Sequence, residues 1–180
     1  MSMRASLACM ALAVVTAAVS VAADSTVGTF TVKGKVTPLK HGYATVQQDP
    51  DDDARSWLVI LVTNVLLEEA DRTPARLAEL AAAGTVKAVR VLWLEGYDTV
   101  FAVPYHRALP QSGRRGTEHP TVNLDRYDES RYEGTVKSKM LGQDWFFDVH
   151  VKTDLARGGV AELEPAIVEE EPTGRSTPAG

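Results

Sequence analysis

Short runs of apolar residues, separated by turn-forming residues, recur along most of this chain. Residues 145–153 alternate between apolar and mostly polar side chains, which is the pattern of a strand with one buried face. The predicted inner face holds Trp145, Phe147, Val149 and Val151. Residues 132–139 alternate in the same way, and a turn at residues 141–144 joins the two runs. The sequence therefore predicts a β-hairpin over residues 132–153.

A continuous apolar run at residues 57–63 predicts a strand that is buried on both faces at the centre of a sheet. Further strands are predicted at residues 27–33, 35–39, 42–48, 85–94, 99–105 and 121–127. Residues 65–83 are the helical part of the chain, because they contain good helix formers. Within them a short helix begins after the N-cap Thr73, with Pro74 at its first position, and ends before Gly84.

These elements predict a mainly β fold, which is an antiparallel β-sandwich or open barrel of seven to eight strands with a short helical insertion. The alternative is an α+β fold in which one crossover helix joins parallel neighbouring strands. In both cases a single β-rich domain is expected at residues 24–157. A flexible tail that is rich in acidic residues, proline and glycine is expected at residues 158–180.

The N-terminus has the pattern of an export signal. Arg4 is the only charged residue before Asp24, and an apolar run of mostly alanine and valine ends in small residues at Ala23. This pattern predicts a signal peptide at residues 1–23 that is cleaved after Ala23, and therefore a periplasmic or secreted protein. An uncleaved membrane anchor is the alternative for this run. Lipidation at Cys9 is disfavoured, because Ser6 stands where a lipoprotein signal has an aliphatic residue.

Charge and cysteine content exclude several classes of protein. The net charge of −5 argues against a nucleic-acid partner, because phosphate binding needs a basic surface. The single cysteine, Cys9, lies in the predicted signal, so the remainder has no disulfide, thiol nucleophile or thiolate metal site. No cofactor is predicted, and no transmembrane segment is expected after signal cleavage.

The segment at residues 106–119 is the candidate binding surface, because a long loop within a compact domain is often functional. Guanidinium groups bind carboxylate or phosphate, so its arginines and histidines are the candidate ligand- or partner-binding residues. These residues are His106, Arg107, Arg114, Arg115 and His119.

Two metal sites are weighed and not favoured. The four histidines have no local metal-binding spacing, so separate imidazoles are preferred to a transition-metal site. The aspartates at residues 49–53 lack the spacing of a calcium loop, and adjacent carboxylates in a loop are usually solvated.

The stretch Leu39-Lys40-His41-Gly42-Tyr43-Ala44 is followed by a turn rich in Asp and Pro and then by Val59-Ile60-Leu61-Val62-Thr63-Asn64. These residues, with Tyr105-His106 and Trp145-Phe146-Phe147-Asp148, resemble a group of exported bacterial proteins of unknown function. The resemblance covers residues 30–153. It implies a signal peptide and a β-rich domain, and it assigns no catalytic residue.

We therefore expect an exported protein of the bacterial cell envelope that is a non-catalytic binding or interaction domain for an unknown protein or small ligand. The alternative is a metal-assisted or carboxylate-based hydrolase, in which His106 and His119 would converge with an acidic residue. A structural component of the envelope is a third possibility.

Overall fold

A computed structural model of the chain describes residues 25–97, 99–109, 120–138 and 144–162. Within these residues the strands are β1 (Ser25–Val32), β2 (Lys35–Leu39), β3 (His41–Gln48), β4 (Ser56–Thr63), β5 (Ala88–Leu94), β6 (Val100–Tyr105), β7 (Thr121–Tyr127), β8 (Arg131–Lys137) and β9 (Trp145–Val160). The helical elements are a 3₁₀ turn at Glu69–Asp71 and the helix α1 at Pro74–Ala82. The predicted signal peptide at residues 1–23 and most of the predicted tail lie outside the described residues.

The strands form one curled, mixed sheet that has the shape of a half-barrel, so the prediction of a mainly β fold with a short helix is confirmed. The strand order is β2-β1-β9-β3-β4-β5-β6, with β8 also paired to β9 and β7 to β8. Every pairing among these strands is antiparallel except that of β3 with β9, which is parallel. The predicted antiparallel arrangement therefore needs this one correction.

The strand β9 belongs to two parts of the sheet. Its first half pairs with β1 from Trp145 to Lys152 and with β8 from Asp148 to Asp154. Its second half, from Leu155 to Val160, pairs with β3 instead. This strand therefore continues past the expected domain boundary at residue 157, and it links the part of the sheet that contains β1 and β8 to the part that contains β3.

Glycines allow the strands to approach closely at this junction. A Cβ atom on Gly42 of β3 would overlap the Thr26 Oγ1 and lie 2.8 Å from a methyl carbon of Val151. A Cβ atom on Gly28 of β1 would overlap the backbone oxygen of Asp148. Real Cβ atoms do not approach other atoms this closely, so a larger residue at either position would force the strands apart.

Two apolar cores lie on opposite faces of the sheet. The inner core fills the curl, and its members include Phe30, Leu58, Ile60, Tyr132 and Phe147. The outer core lies between the sheet and α1, and its members include Trp57, Val59, Leu61, Leu77 and Ala81. The strand β4 supplies alternate residues to both cores, which confirms that residues 57–63 are buried on both faces.

The helix α1 begins and ends as predicted. The Thr73 side chain accepts a hydrogen bond from the backbone N–H of Arg76 at 3.4 Å, and Pro74 is the first helical residue. Gly84 has a φ of 81°, the left-handed conformation that ends the helix. The predicted helical part at residues 65–83 is wrong at its start. Residues 65–68 are not helical, and only the 3₁₀ turn at Glu69–Asp71 precedes α1.

The strands that flank α1, β4 and β5, pair with each other in antiparallel fashion. A crossover helix joins parallel strands, so the α+β alternative is wrong for this helix. The predicted β8–β9 hairpin is present, and Val136 lies opposite Val149. Among the described residues, none of the helices has the length and apolar character to cross a bilayer.

Candidate functional site

An open groove of about 530 Å³ lies on the outer face of the sheet. Its floor is formed by β3 and β4, where Tyr43, Val59 and Leu61 lie side by side. One wall is the turn that leads into α1, and the other wall is the C-terminal end of β9. The remaining lining residues are Thr45, Gln47, Glu69, Arg72, Thr73, Pro74, Arg90, Ala156, Arg157, Gly158, Gly159, Val160 and Glu162.

Three arginines from three separate elements meet at this groove, which we call the arginine groove after Arg72, Arg90 and Arg157. The groove also contains two carboxylates, Glu69 and Glu162, so its formal charge is positive while the whole chain is negative. Guanidinium groups bind carboxylates and phosphates in bidentate fashion. The groove therefore has the chemistry to hold an anionic group above an apolar floor.

Arg72 is held in place by its neighbours in the groove. Its guanidinium carbon lies 3.9 Å from the centre of the Tyr43 ring, which is a cation–π contact. Its Nη2 and Nε donate to the backbone oxygen of Leu67 at 2.9 and 3.3 Å. The Tyr43 hydroxyl in turn accepts a hydrogen bond from the Leu67 N–H at 2.8 Å. These contacts fix the position of the Arg72 charge before any ligand arrives, so less rotamer entropy is lost on binding.

Arg90 and Arg157 differ in exposure. Arg90 lies on β5 opposite Leu61 and is only 3% exposed. Arg157 is exposed on β9, and its Nε donates to the backbone oxygen of Glu129 at 3.4 Å.

His106 lies in the inner part of the structure, at the end of β6. It is 8% exposed, its ring meets the Phe30 ring edge-on, and its Nδ1 accepts a hydrogen bond from the Ala108 N–H at 3.0 Å. Burial lowers the pKa of this imidazole, and the nearby positive charges of Lys87, Lys35 and Arg107 lower it further. The structure therefore indicates that the His106 ring is neutral and that it helps to form a turn.

Arg107 is exposed, and its Cδ lies 3.3 Å from the position that a Cβ atom on Gly84 would take. Neither His106 nor Arg107 lines the arginine groove. The other candidate residues, Arg114, Arg115 and His119, lie outside the described residues, as does the predicted loop from residue 110 to residue 119. Their part in binding stays a prediction.

The described residues contain no group of three or more histidine, cysteine, aspartate or glutamate side chains that is arranged to hold a metal. His150 lies 3.8 Å from the Asp125 carboxylate and 3.9 Å from that of Glu133, on the outer face of β9.

Two aspartates of the acidic turn at residues 49–53 have partners close by in the sequence. Asp49 accepts a hydrogen bond from the Trp57 indole N–H at 2.8 Å, and Asp52 forms an ion pair with Arg55 at 2.8 Å.

The sequence contained one signal for the arginine groove. Residues 85–94 alternate, and Arg90 falls on the same side as Ala88 and Leu92, so a charge interrupts an apolar face. A charged residue is rarely buried unless it is paired, so such an interruption indicates a charge with a specific partner. Arg72 and Arg157 had no local signal, because each precedes a turn or cap residue and the two meet only through the sheet topology.

No protein-family model, no curated protein and no solved structure matches this chain.

Proposed function

We propose that this protein is an exported, non-catalytic binding protein of the bacterial cell envelope, and that it binds an anionic ligand in the arginine groove. Export is supported by the signal-peptide pattern of residues 1–23. Binding is supported by one observation above all: Arg72, Arg90 and Arg157 come from three separate elements and line the same groove.

The groove favours a ligand that is both apolar and acidic. Its volume of about 530 Å³ is within the range of ordinary ligand sites. Val59 and Leu61 form an apolar floor, and Tyr43 offers an aromatic surface beside them. An extended peptide that carries carboxylates between apolar side chains satisfies both parts of this lining. We therefore take an acidic peptide segment as the ligand class.

The overall charge of the chain indicates that an acidic ligand is selected by direct contact with the groove. A net charge of −5 repels an anion at long range, while screening at physiological salt limits that repulsion to about 8 Å. An acidic ligand is therefore bound by direct contact with fixed guanidinium groups and not by attraction to the whole surface. Short-range charge-assisted hydrogen bonds of this kind are geometrically specific.

The test is a titration with a defined probe, which is a fluorescein-labelled peptide of alternating leucine and glutamate, read by fluorescence anisotropy. It uses two forms of the full chain, which differ in the charge of the C-terminal segment. One form is native. In the other, called the neutral-tail chain, Glu164, Glu169, Glu170 and Glu171 are replaced by glutamine.

We expect the probe to bind, and we expect Arg72→Ala and Arg157→Ala each to weaken binding about tenfold, since a charge-assisted hydrogen bond contributes about 1.5 kcal/mol or more. The matched control is Arg126→Ala, which removes an exposed arginine of β7 that does not line the groove. The proposal fails if neither form of the chain binds the probe, or if Arg126→Ala weakens binding as much as the groove variants do.

A further inference from the structure

We propose that residues 163–171 of this chain occupy the arginine groove and compete there with an external ligand. The proposal rests on the proposed function in that it concerns regulation of the same site. It makes the acidic C-terminal segment an intramolecular inhibitor, and it identifies the groove as the place where that inhibitor acts.

The path of the chain brings this segment to the groove. Ala161 is 3% exposed in the outer core, and its N–H donates to the backbone oxygen of Gln48 at 2.8 Å. The next residue, Glu162, itself lines the groove. The segment that follows Glu162 is therefore tethered at the rim of the groove. A fully extended chain spans about 3.5 Å per residue, so a segment of this length can reach the lining.

The composition of the segment matches the lining of the groove. Residues 163–171 contain three large apolar residues, four glutamates and no basic residue. The apolar residues are Leu163, Ile167 and Val168, and the glutamates are Glu164, Glu169, Glu170 and Glu171. The apolar residues suit the floor at Val59 and Leu61, and the glutamates suit the guanidinium groups of Arg72 and Arg157. The segment therefore has the same chemistry as the proposed ligand class.

Attachment to the same chain makes even weak binding effective. A short tether holds a segment at an effective concentration in the millimolar range. A segment that binds the groove with a millimolar Kd as a free peptide would therefore occupy it about half of the time when tethered. An external ligand then binds with an affinity that is reduced by the fraction of grooves that are occupied.

The first test is disulfide trapping in the full chain. Cys9 is the only cysteine of the sequence, so Cys9→Ser gives a background without thiols. Into that background we place Thr45→Cys, in the groove, together with Val168→Cys, in the segment. Oxidation is expected to form the intramolecular disulfide readily, and the rate is expected to fall at least severalfold in 1 M salt, where charges are screened beyond about 3 Å.

The matched control carries the same two cysteines in the neutral-tail chain. It has the same reach and differs only in charge. Its rate of disulfide formation is expected to be severalfold lower at low salt and insensitive to salt. Equal rates in the acidic and neutral chains would overturn the proposal, because they would show that the cysteines meet by random motion of the tether.

The second test separates this inference from the proposed function. The neutral-tail chain is expected to bind the leucine–glutamate probe about twofold more tightly than the native chain, since the segment occupies about half of the grooves. If both chains bind the probe equally and trapping does not depend on charge, the inhibitory segment is refuted and the binding function stands. If trapping depends on charge but neither chain binds the probe, the binding function is refuted and the groove is a site for the segment alone.

Discussion

The buried contact between Asp49 and Trp57 gives the sharpest prediction about stability. The Trp57 indole N–H donates to one carboxylate oxygen of Asp49 at 2.8 Å, and the backbone N–H of Asp51 donates to the other at 2.9 Å. Both Asp49 and Trp57 are buried, so an unpaired N–H there is not rehydrated cheaply.

Replacing Asp49 by alanine removes both acceptors at once. Leaving a buried donor without a partner costs about 1–3 kcal/mol, and the half-exposed turn N–H costs less because water reaches it. We expect Asp49→Ala to lower the free energy of unfolding by about 2–4 kcal/mol. Asp49→Asn keeps one acceptor oxygen, so its loss is expected to be about half as large.

The measurement is equilibrium unfolding in urea, followed by tryptophan fluorescence and by circular dichroism. The matched control is Asp51→Ala, since Asp51 is exposed in the same turn and uses its backbone N–H in the contact. It is expected to change the unfolding free energy by less than about 0.5 kcal/mol. If Asp49→Ala is as mild as Asp51→Ala, the indole contact does not contribute and the reasoning is refuted.

Three further predictions concern pH and packing. The pKa of His106 is lowered by burial, so folding favours the neutral ring; native stability should fall as the pH drops below about 6.5, and His106→Asn should show less of that fall in urea unfolding at pH 7 and pH 5. Hydrogen bonding from the Ser130 backbone lowers the pKa of Asp128 to about 2, so its stabilisation is present above pH 4 and is lost towards pH 2, and NMR titration of the carboxyl carbon should give that value. Gly28→Ala should destabilise the chain by about 1–3 kcal/mol in urea, because the new methyl group would meet the backbone oxygen of Asp148.

Each of these predictions has a control or a contrary result. A pH dependence of stability that is unchanged in His106→Asn would contradict the role of His106. A Thr29→Ala variant on the same strand should be mild, because Thr29 is exposed. If the Asp128 carboxyl group titrates near pH 4, the hydrogen bonds of its turn do not lower its pKa, and the prediction is refuted.

Local patterns predicted most of the strands, because the spacing of apolar residues within a strand indicates which of its faces are buried. The alternation at residues 145–153 predicted which side chains of β9 face the core, and Phe147, Val149 and Val151 are indeed buried. The continuous run at residues 57–63 predicted a central strand in the same way. These segments need no information about their neighbours.

Pairing partners and the candidate site depend on distant parts of the chain, and no local pattern reports them. The second half of β9 reads as the start of a tail, because Arg157 is followed by two glycines, yet it pairs with β3 in parallel. That pairing brings Arg157 to the groove that also contains Arg72 and Arg90. The arginine groove could not be predicted from local sequence patterns, because it depends on the pairing of β9 with β3, which those patterns do not report.

The double pairing of β9 also sets the order in which this chain can fold. The hairpins β1–β2 and β3–β4 can pair early, but β1 finds its second partner only when residues 145–152 have been made, and β3 finds its second partner only when residues 155–160 have been made. A nascent chain therefore lacks the strand that links the two parts of its sheet until synthesis has passed residue 160. Such a late link leaves the sheet incomplete during synthesis, which suits the export we propose if export acts on an incompletely folded chain.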